Sequence, residues 1–256
     1  MATRSKYQNG NLHFYDDKYH AEAPTGVWAS CPLAAIAGDP SLAYVYDSNW
    51  CNYMGAEATG IVLAGYTVTS AASGAITMPD SAGGVLRLTA GTSAAAAGVQ
   101  VQKITFDFLP AVGQPIWFET MVEVNALTAE LFFGLASTDT SIISGSANSS
   151  TDHIGWQCVT DDGVLLFSAE KAGTGTTKAS TTLVAATAIR LGFKVSNATA
   201  TTLKIEHWVN DTKASTSHVN ANVSVKPLSP SLVCQGGGGT TVPILRNYYT
   251  KCVQMR

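Results

Sequence analysis

The stretch Ala188-Ile189-Arg190-Leu191-Gly192-Phe193-Lys194-Val195-Ser196 decides how this chain reads. Ile189, Leu191, Phe193 and Val195 fall at every second position, with Arg190, Gly192, Lys194 and Ser196 between them. Side chains alternate across a strand, so this pattern predicts one buried and one solvated face. The next run, Leu203–Asn210, turns at Asn210-Asp211 and returns through Lys213–His218. Working outward, the same period recurs. Gln102–Phe108 groups Ile104, Phe106 and Phe108, and Pro115–Val124 groups Ile116, Phe118, Thr120, Val122 and Val124. Glu130–Ala136 groups Leu131, Phe133 and Leu135, and His153–Thr160 groups Ile154, Trp156 and Cys158. Asp162-Gly163 fits the paired positive φ of a type I′ turn leading into Val164–Ala169. Gly84–Ala90 and Asn247–Met255 are two further short runs. No stretch sustains the 3.6-residue helical period, so no crossover helices exist to join parallel strands. The prediction is an all-β chain, a two-sheet antiparallel jelly-roll sandwich over residues 59–256.

Residues 1–58 have a different texture. They carry Tyr7, Phe14, Tyr15, Tyr19, Trp28, Tyr44, Tyr46, Trp50 and Tyr53 with little clean alternation. The reading is an irregular, aromatic-rich N-terminal arm with a short helix near Leu33–Ala37. Such an arm has no core of its own and packs either on its own domain or on a neighbouring subunit.

Composition narrows the function classes. Only 13% of residues are charged, about half the usual share for a soluble domain. The balance of 15 Lys+Arg against 18 Asp+Glu lacks the basic excess of a nucleic-acid binder. Hydrophobic residues at 46% exclude a disordered chain. The start, Met1–Tyr7, is followed by no apolar run, so no secretory signal is expected. No stretch approaches the ~20 apolar residues of a membrane span. Cys31, Cys51, Cys158, Cys234 and Cys252 are odd in number and scattered, which predicts reduced thiols in a reducing compartment. The Asn-x-Ser/Thr sequons at Asn148, Asn197, Asn210 and Asn222 are read as chance.

From about residue 60 to 256 the order of elements resembles the concanavalin A-like jelly rolls of bacteriophage virion proteins. Gly83-Gly84-Val85-Leu86-Arg87-Leu88 is similar to their early G-G-x-L-R-L strand. Trp117-Phe118-Glu119-Thr120-Met121-Val122-Glu123-Val124 is similar to the central W-F-E-x-x-V strand, and Leu131–Ala136 to the F-x-G-L-A strand after it. Asp152-His153-Ile154-Gly155-Trp156 resembles D-x-I-G-F. Arg190–Val195 with Leu203–Asn210 resembles a paired L-G-F-x-V hairpin, and Pro227-Leu228-Ser229-Pro230 and the terminal strand complete the order. The resemblance implies a non-enzymatic capsid decoration (cement) protein on the virion surface, made in the host cytoplasm. It would form a homotrimer and bind the major capsid protein. Tail or fibre receptor-binding roles share the same fold. Cofactors, nucleic acid and membranes are not expected as partners. Within this reading the arm faces the capsid or clasps a neighbouring subunit, through Phe14, Tyr15, Tyr19, Trp28, Tyr44, Tyr46 and Trp50.

The rival expectation is a carbohydrate-binding, lectin-like domain or, further off, a glycoside hydrolase. Trp117, Glu119, Met121 and Glu123 share one strand face. Glycoside hydrolases of the same broad fold carry E-x-D-x-E there, but Met121 takes the middle place. Residues four apart on a strand lie about 13 Å from each other, against ~5–5.5 Å for a retaining carboxylate pair. Two solvated carboxylates are the plainer reading, with Trp117, Glu119 and Glu123 as a candidate glycan-binding face. His13, His20, His207 and His218 have no metal-ligand spacing. Asp161-Asp162-Gly163 is read as a hairpin turn, since the EF-hand run is absent. Gly236–Gly239 lacks the Lys-Ser/Thr of a phosphate loop and is read as a flexible loop. Arg190, Lys194 and Lys204 beside Glu206 are read as a solvated basic patch.

Overall fold

The computed structural model describes residues 3–8, 11–16, 25–32, 41–50, 63–79, 84–95, 97–105, 108–144, 147–148, 152–219 and 223–256. Of residues 3–16, 147, 178–180, 216–217 and 219 it describes the backbone alone. In chain order the elements are β1 (Thr3–Gln8), β2 (Asn11–Asp16), a short 3-10 helix η1 (Gly26–Ser30), β3 (Ala43–Ser48), β4 (Tyr66–Ala71) and β5 (Ala75–Thr77). Then come β6 (Leu86–Thr89), β7 (Gly98–Lys103), β8 (Ile116–Val124), β9 (Ala129–Ala136), β10 (Ile143–Ser144), β11 (Ala147–Asn148) and β12 (His153–Cys158). The last are β13 (Val164–Lys171), β14 (Thr174–Thr182), β15 (Ile189–Asn197), β16 (Leu203–Val209), β17 (Thr212–Val219), β18 (Ser229–Gly236) and β19 (Ile244–Met255).

Two antiparallel sheets form the sandwich. The first has the order β14-β13-β12-β9-β18-β7-β4 and the second β17-β16-β15-β8-β19-β6-β5, with β3 also paired to β19. The alternating residues meet between the sheets as expected. Phe118 and Phe193 stack with ring centroids 4.7 Å apart, and Trp156 meets Phe167 edge-on at 5.1 Å. Ile154, Leu131, Leu191, Val195 and Ile205 join them in one continuous core. Burying each such side chain contributes about 1.5–3 kcal/mol.

The hairpin between β16 and β17 turns where the sequence predicts. Asn210 and Asp211 take φ of 47° and 66°, and Val209 pairs directly with Thr212. The Asp162-Gly163 expectation needs correction. The positive φ values fall at Asp161 (55°) and Gly163 (71°), inside a five-residue loop from residue 159 to 163. Asp162 instead accepts the Val164 N–H on its carboxylate at 2.8 Å, which closes the loop from within.

Two other expectations change. The strand read over 102–108 runs over Gly98–Lys103; Ile104 is exposed, and Phe108 is buried in an isolated bridge to Leu228. The reason is pairing: β4 begins opposite Lys103, and the ladder ends when the Ile104 N–H reaches Gly65 O. Second, the arm is not wholly irregular. β1 and β2 form a two-stranded sheet, and β3 is a full member of the second sheet. Tyr44 and Tyr46 point toward the inter-sheet core while Ala43 and Val45 pack outside, which is ordinary strand alternation. The expected helix near Leu33–Ala37 lies outside the described residues. One strand has no signal in the sequence: β14 reads Thr-Gly-Thr-Thr-Lys-Ala-Ser-Thr-Thr and has no apolar alternation. It is a strand because β13 pairs with it along its length.

The outer faces are also not the solvated surfaces that alternation implies. On the first sheet Phe132 and Val233 lie buried under Ile142 and Ile143. On the second, Trp117 and Val253 lie buried under Val27 and Cys31. Short segments between strands cover both.

Candidate functional site

The face flagged by Trp117, Glu119 and Glu123 lies on β8 and is closed by η1. Gly26, with φ of 64°, starts η1 against Asp211; a Cβ on Gly26 would lie 2.3 Å from the Asp211 carboxylate. Gly192 on β15 leaves room for Val27, whose Cγ1 would sit 3.1 Å from a Cβ there. Two glycines therefore let the segment lie flat on the sheet. Trp117 is 2% exposed, and its indole N–H donates to Ser30 Oγ at 3.2 Å. Lys194 donates to the same hydroxyl at 2.7 Å and sits 5.3 Å above the Trp117 ring.

Both glutamates have partners. Glu119 is 6% exposed and accepts the Tyr249 hydroxyl at 2.7 Å. Burial raises its carboxyl above the usual range, opposed by hydrogen bonds from Tyr249 and Trp28. The Tyr249 phenol is raised in turn, by burial first and then by the Glu119 charge. Glu123 is ion-paired with Arg246 and accepts the Tyr248 hydroxyl at 2.6 Å. Arg246 pairs with Glu123, and Lys251 with Glu119, across the β8–β19 ladder. The terminal strand that supplies these phenols and cations carried no functional expectation. Its Tyr248-Tyr249 pair opposite a Glu-bearing strand was the available signal.

The seven arm aromatics separate. Phe14 and Tyr15 are on β2, where only the backbone is described, and Tyr19 lies outside the described residues. Trp28 packs on the β8 face, with Lys251 5.9 Å from its ring. Tyr44, Tyr46 and Trp50 come together with Tyr66 and Lys103 around a cleft of about 370 Å³, whose rim includes Asp47, Ser48 and Asn49. Tyr46 and Tyr66 share a hydroxyl–hydroxyl bond of 2.8 Å. Lys103 donates to the Tyr44 hydroxyl at 3.1 Å and lies 5.7 and 5.8 Å from the Tyr44 and Tyr46 ring centres. Trp50 has a left-handed backbone, φ 60°, and its indole N–H donates to Asn247 Oδ1 at 2.6 Å. Asn247 is fully buried and also donates to Thr120 Oγ1 at 2.7 Å, so the cleft is anchored to β8 through a polar chain. Lys103 and Asn247 are distant in sequence from the arm, and no spacing links them or Tyr66 to it.

The basic patch is a set of ion pairs: Arg190 with Asp211, and Lys204 and Lys213 with Glu206. Among the described residues no group of three or more His, Cys, Asp and Glu side chains is placed to hold a metal ion. No helix there is long and apolar enough to cross a membrane.

No family model matches the chain, and no curated protein sequence matches it. Solved structures do. An endo-1,3-β-glucanase from Streptomyces sioyaensis superposes with a TM-score of 0.60 at 12% identity, covering 85% of this chain and 98% of that one. A protein of unknown function from Shewanella oneidensis gives 0.54 at 11%, covering 84% and 87%. Peanut lectin gives 0.51 at 10%, covering 83% and 97%. At these identities the likeness establishes the fold alone: a concanavalin A-like jelly roll of the kind found in lectins and glycoside hydrolases.

Proposed function

We propose that this chain is a non-catalytic bacteriophage virion protein, a capsid decoration protein that self-associates and binds the major capsid protein. The observation that carries this reading is the N-terminal hairpin. Among the described residues, β1 and β2 pair with each other and with neither sheet of the sandwich. A two-stranded hairpin by itself is marginal in water, so it gains its stability from a further surface. A neighbouring subunit or the capsid lattice supplies one. The partnered state of Glu119 and Glu123 supports this, since glycoside hydrolysis by two carboxyl groups needs both within reach of the sugar. Repetition around a shell lets each modest contact act multivalently.

The test is the solution mass and capsid binding of the full chain against a chain lacking residues 2–24. That deletion spares η1 and β3, which belong to the sandwich. The full chain should run near three times 26.7 kDa and co-sediment with capsids. The shortened chain should keep its β-sheet spectrum and lose both properties. A shortened chain that still assembles, or a full chain that is monomeric and ignores capsids, overturns the reading. Immunolabelling of virions separates the head from a tail or fibre position.

A second reading, glycan binding, is favoured by the tyrosine cleft. Half-buried Tyr44 and Tyr66 beside Lys103 offer ring faces and polar groups together, as sugar sites require. Tyr44→Ala should then weaken binding on a glycan array at least about tenfold, roughly the 1.4 kcal/mol of one lost contact. Arrays blank for the intact protein would end that reading.

A further inference from the structure

Two glycine-bearing stretches without a role meet at one end of the first sheet. The loop over 159–163 follows β12, and Gly236–Gly239 ends β18. β9 lies between β12 and β18, so its first residues, Ala129 and Glu130, sit between the two loops. Gly237 lies flush against Asp161: a Cβ there would fall 1.6 Å from the carboxylate Oδ1. A Cβ on Gly239 would fall 2.4 Å from the Thr128 hydroxyl. The glycines thus pack the loop onto Asp161 and Thr128.

Glu130 is 1% exposed. Its Oε2 accepts the Gln235 amide at 3.1 Å, and its Oε1 has no hydrogen-bond partner among the described residues. Asp161 has a buried Oδ1, also without a partner, on a left-handed backbone. Neither residue makes an ion pair among the described residues. Burial, then the charges of Glu130 and Asp162, raise the Asp161 carboxyl. Glu130 lies at the same corner: its neighbour Ala129 pairs with Gly236, and Gly237 packs against Asp161. An ionised carboxylate buried without a partner costs several kcal/mol, and a like-charged neighbour adds to that.

We propose that Glu130 and Asp161, walled by the Gly236–Gly239 loop, bind a hard divalent cation, with calcium as the ion to test. The orphaned oxygens Oε1 and Oδ1 are its carboxylate ligands. Calcium takes six to eight oxygen ligands, the rest coming from main-chain carbonyls and water. The site is independent of the proposed virion role, and its failure would leave that role untouched.

The experiment uses the intact protein, stripped with EGTA and followed by melting temperature and by calorimetric titration with CaCl2 and MgCl2. Calcium should raise the melting temperature progressively with concentration. It should titrate at one site per chain. Glu130→Gln should weaken the titration at least about tenfold, and Asp161→Asn should do the same should the first variant fold poorly. Asp211→Asn, at the far hairpin, should keep the full response. Silence to both cations overturns the proposal. So does calcium binding that survives Glu130→Gln and Asp161→Asn. A melting temperature raised by acid alone, with no cation response, overturns it as well.

Discussion

The outer face of β8 and the loop end of β9 both carry two acidic side chains, and they differ in what surrounds them. Glu119 meets a phenol from β19, and Glu123 meets a phenol and a guanidinium from the same strand. Glu130 and Asp161 each keep an oxygen with no partner. The first pair is conspicuous in sequence because it sits four apart on one strand. The second is invisible, since its members come from β9 and from a loop after β12. Spacing on a strand reveals which face a carboxylate is on. Only the neighbouring strands decide whether it has any capacity left for a ligand.

The comparison can be broken most forcefully at Trp117. A free binding surface tolerates truncation, whereas a covered indole does not. Trp117→Ala should cost about 3–5 kcal/mol, as for other buried aromatics, measured by urea unfolding. A loss under about 0.5 kcal/mol would mean that η1 does not cover the face in solution.

Partnerless buried polar groups also occur in the core. His207 is fully buried, stacks on Phe167 at 4.5 Å and leaves both ring nitrogens without a partner. The titratable group packed beside it is His218, at 6.2 Å between rings, with its Nδ1 bonded to Thr176. Burial pulls His207 down to about 4. In the unfolded chain it titrates near 6.5, so the unfolded state binds more protons between the two values. The stability contribution is complete above pH ~6.5 and is lost as pH falls toward about 4. The gap corresponds to about 3 kcal/mol. Denaturation midpoints from pH 7 to pH 4 should show the slope, and His207→Phe should flatten it. An equal slope in both proteins would assign the acid sensitivity elsewhere.

Glu119→Ala should cost about 1–3 kcal/mol, because it strands the hydroxyl of half-buried Tyr249. Glu119→Gln, which can still accept that bond, should cost less. Equal losses in thermal melts would show that the bond contributes little. The smallest effect belongs to Arg190→Ala. Its ion pair with Asp211 is exposed, and such pairs are worth about 0–1 kcal/mol, falling with added salt. A larger loss that persists in high salt would mean that the guanidinium helps seat η1 through Glu119.

Strands β8, β9, β12, β15 and β16 were legible because each buries a period-2 apolar row, and that row is written locally. The Asn210-Asp211 turn was legible for the same reason: its positive φ values suit those two residues. β14 and the cover over Trp117 were not. β14 exists through pairing with β13, and η1 seals its face through the absence of side chains at Gly26 and Gly192. The cleft needs Tyr44, Tyr66, Lys103 and Asn247 at once, from four separate strands.

The sequence by itself determined the all-β class, the antiparallel sandwich and which face of most strands turns inward. Each follows from hydrophobic periodicity and turn chemistry acting over a few residues. Tertiary structure alone decided which polar groups are satisfied: Glu119 by Tyr249, Glu123 by Arg246, and one oxygen each of Glu130 and Asp161 by none. Hydrogen bonds and ion pairs act over a few ångströms between residues that can lie a hundred positions apart, so no local reading of the chain contains them.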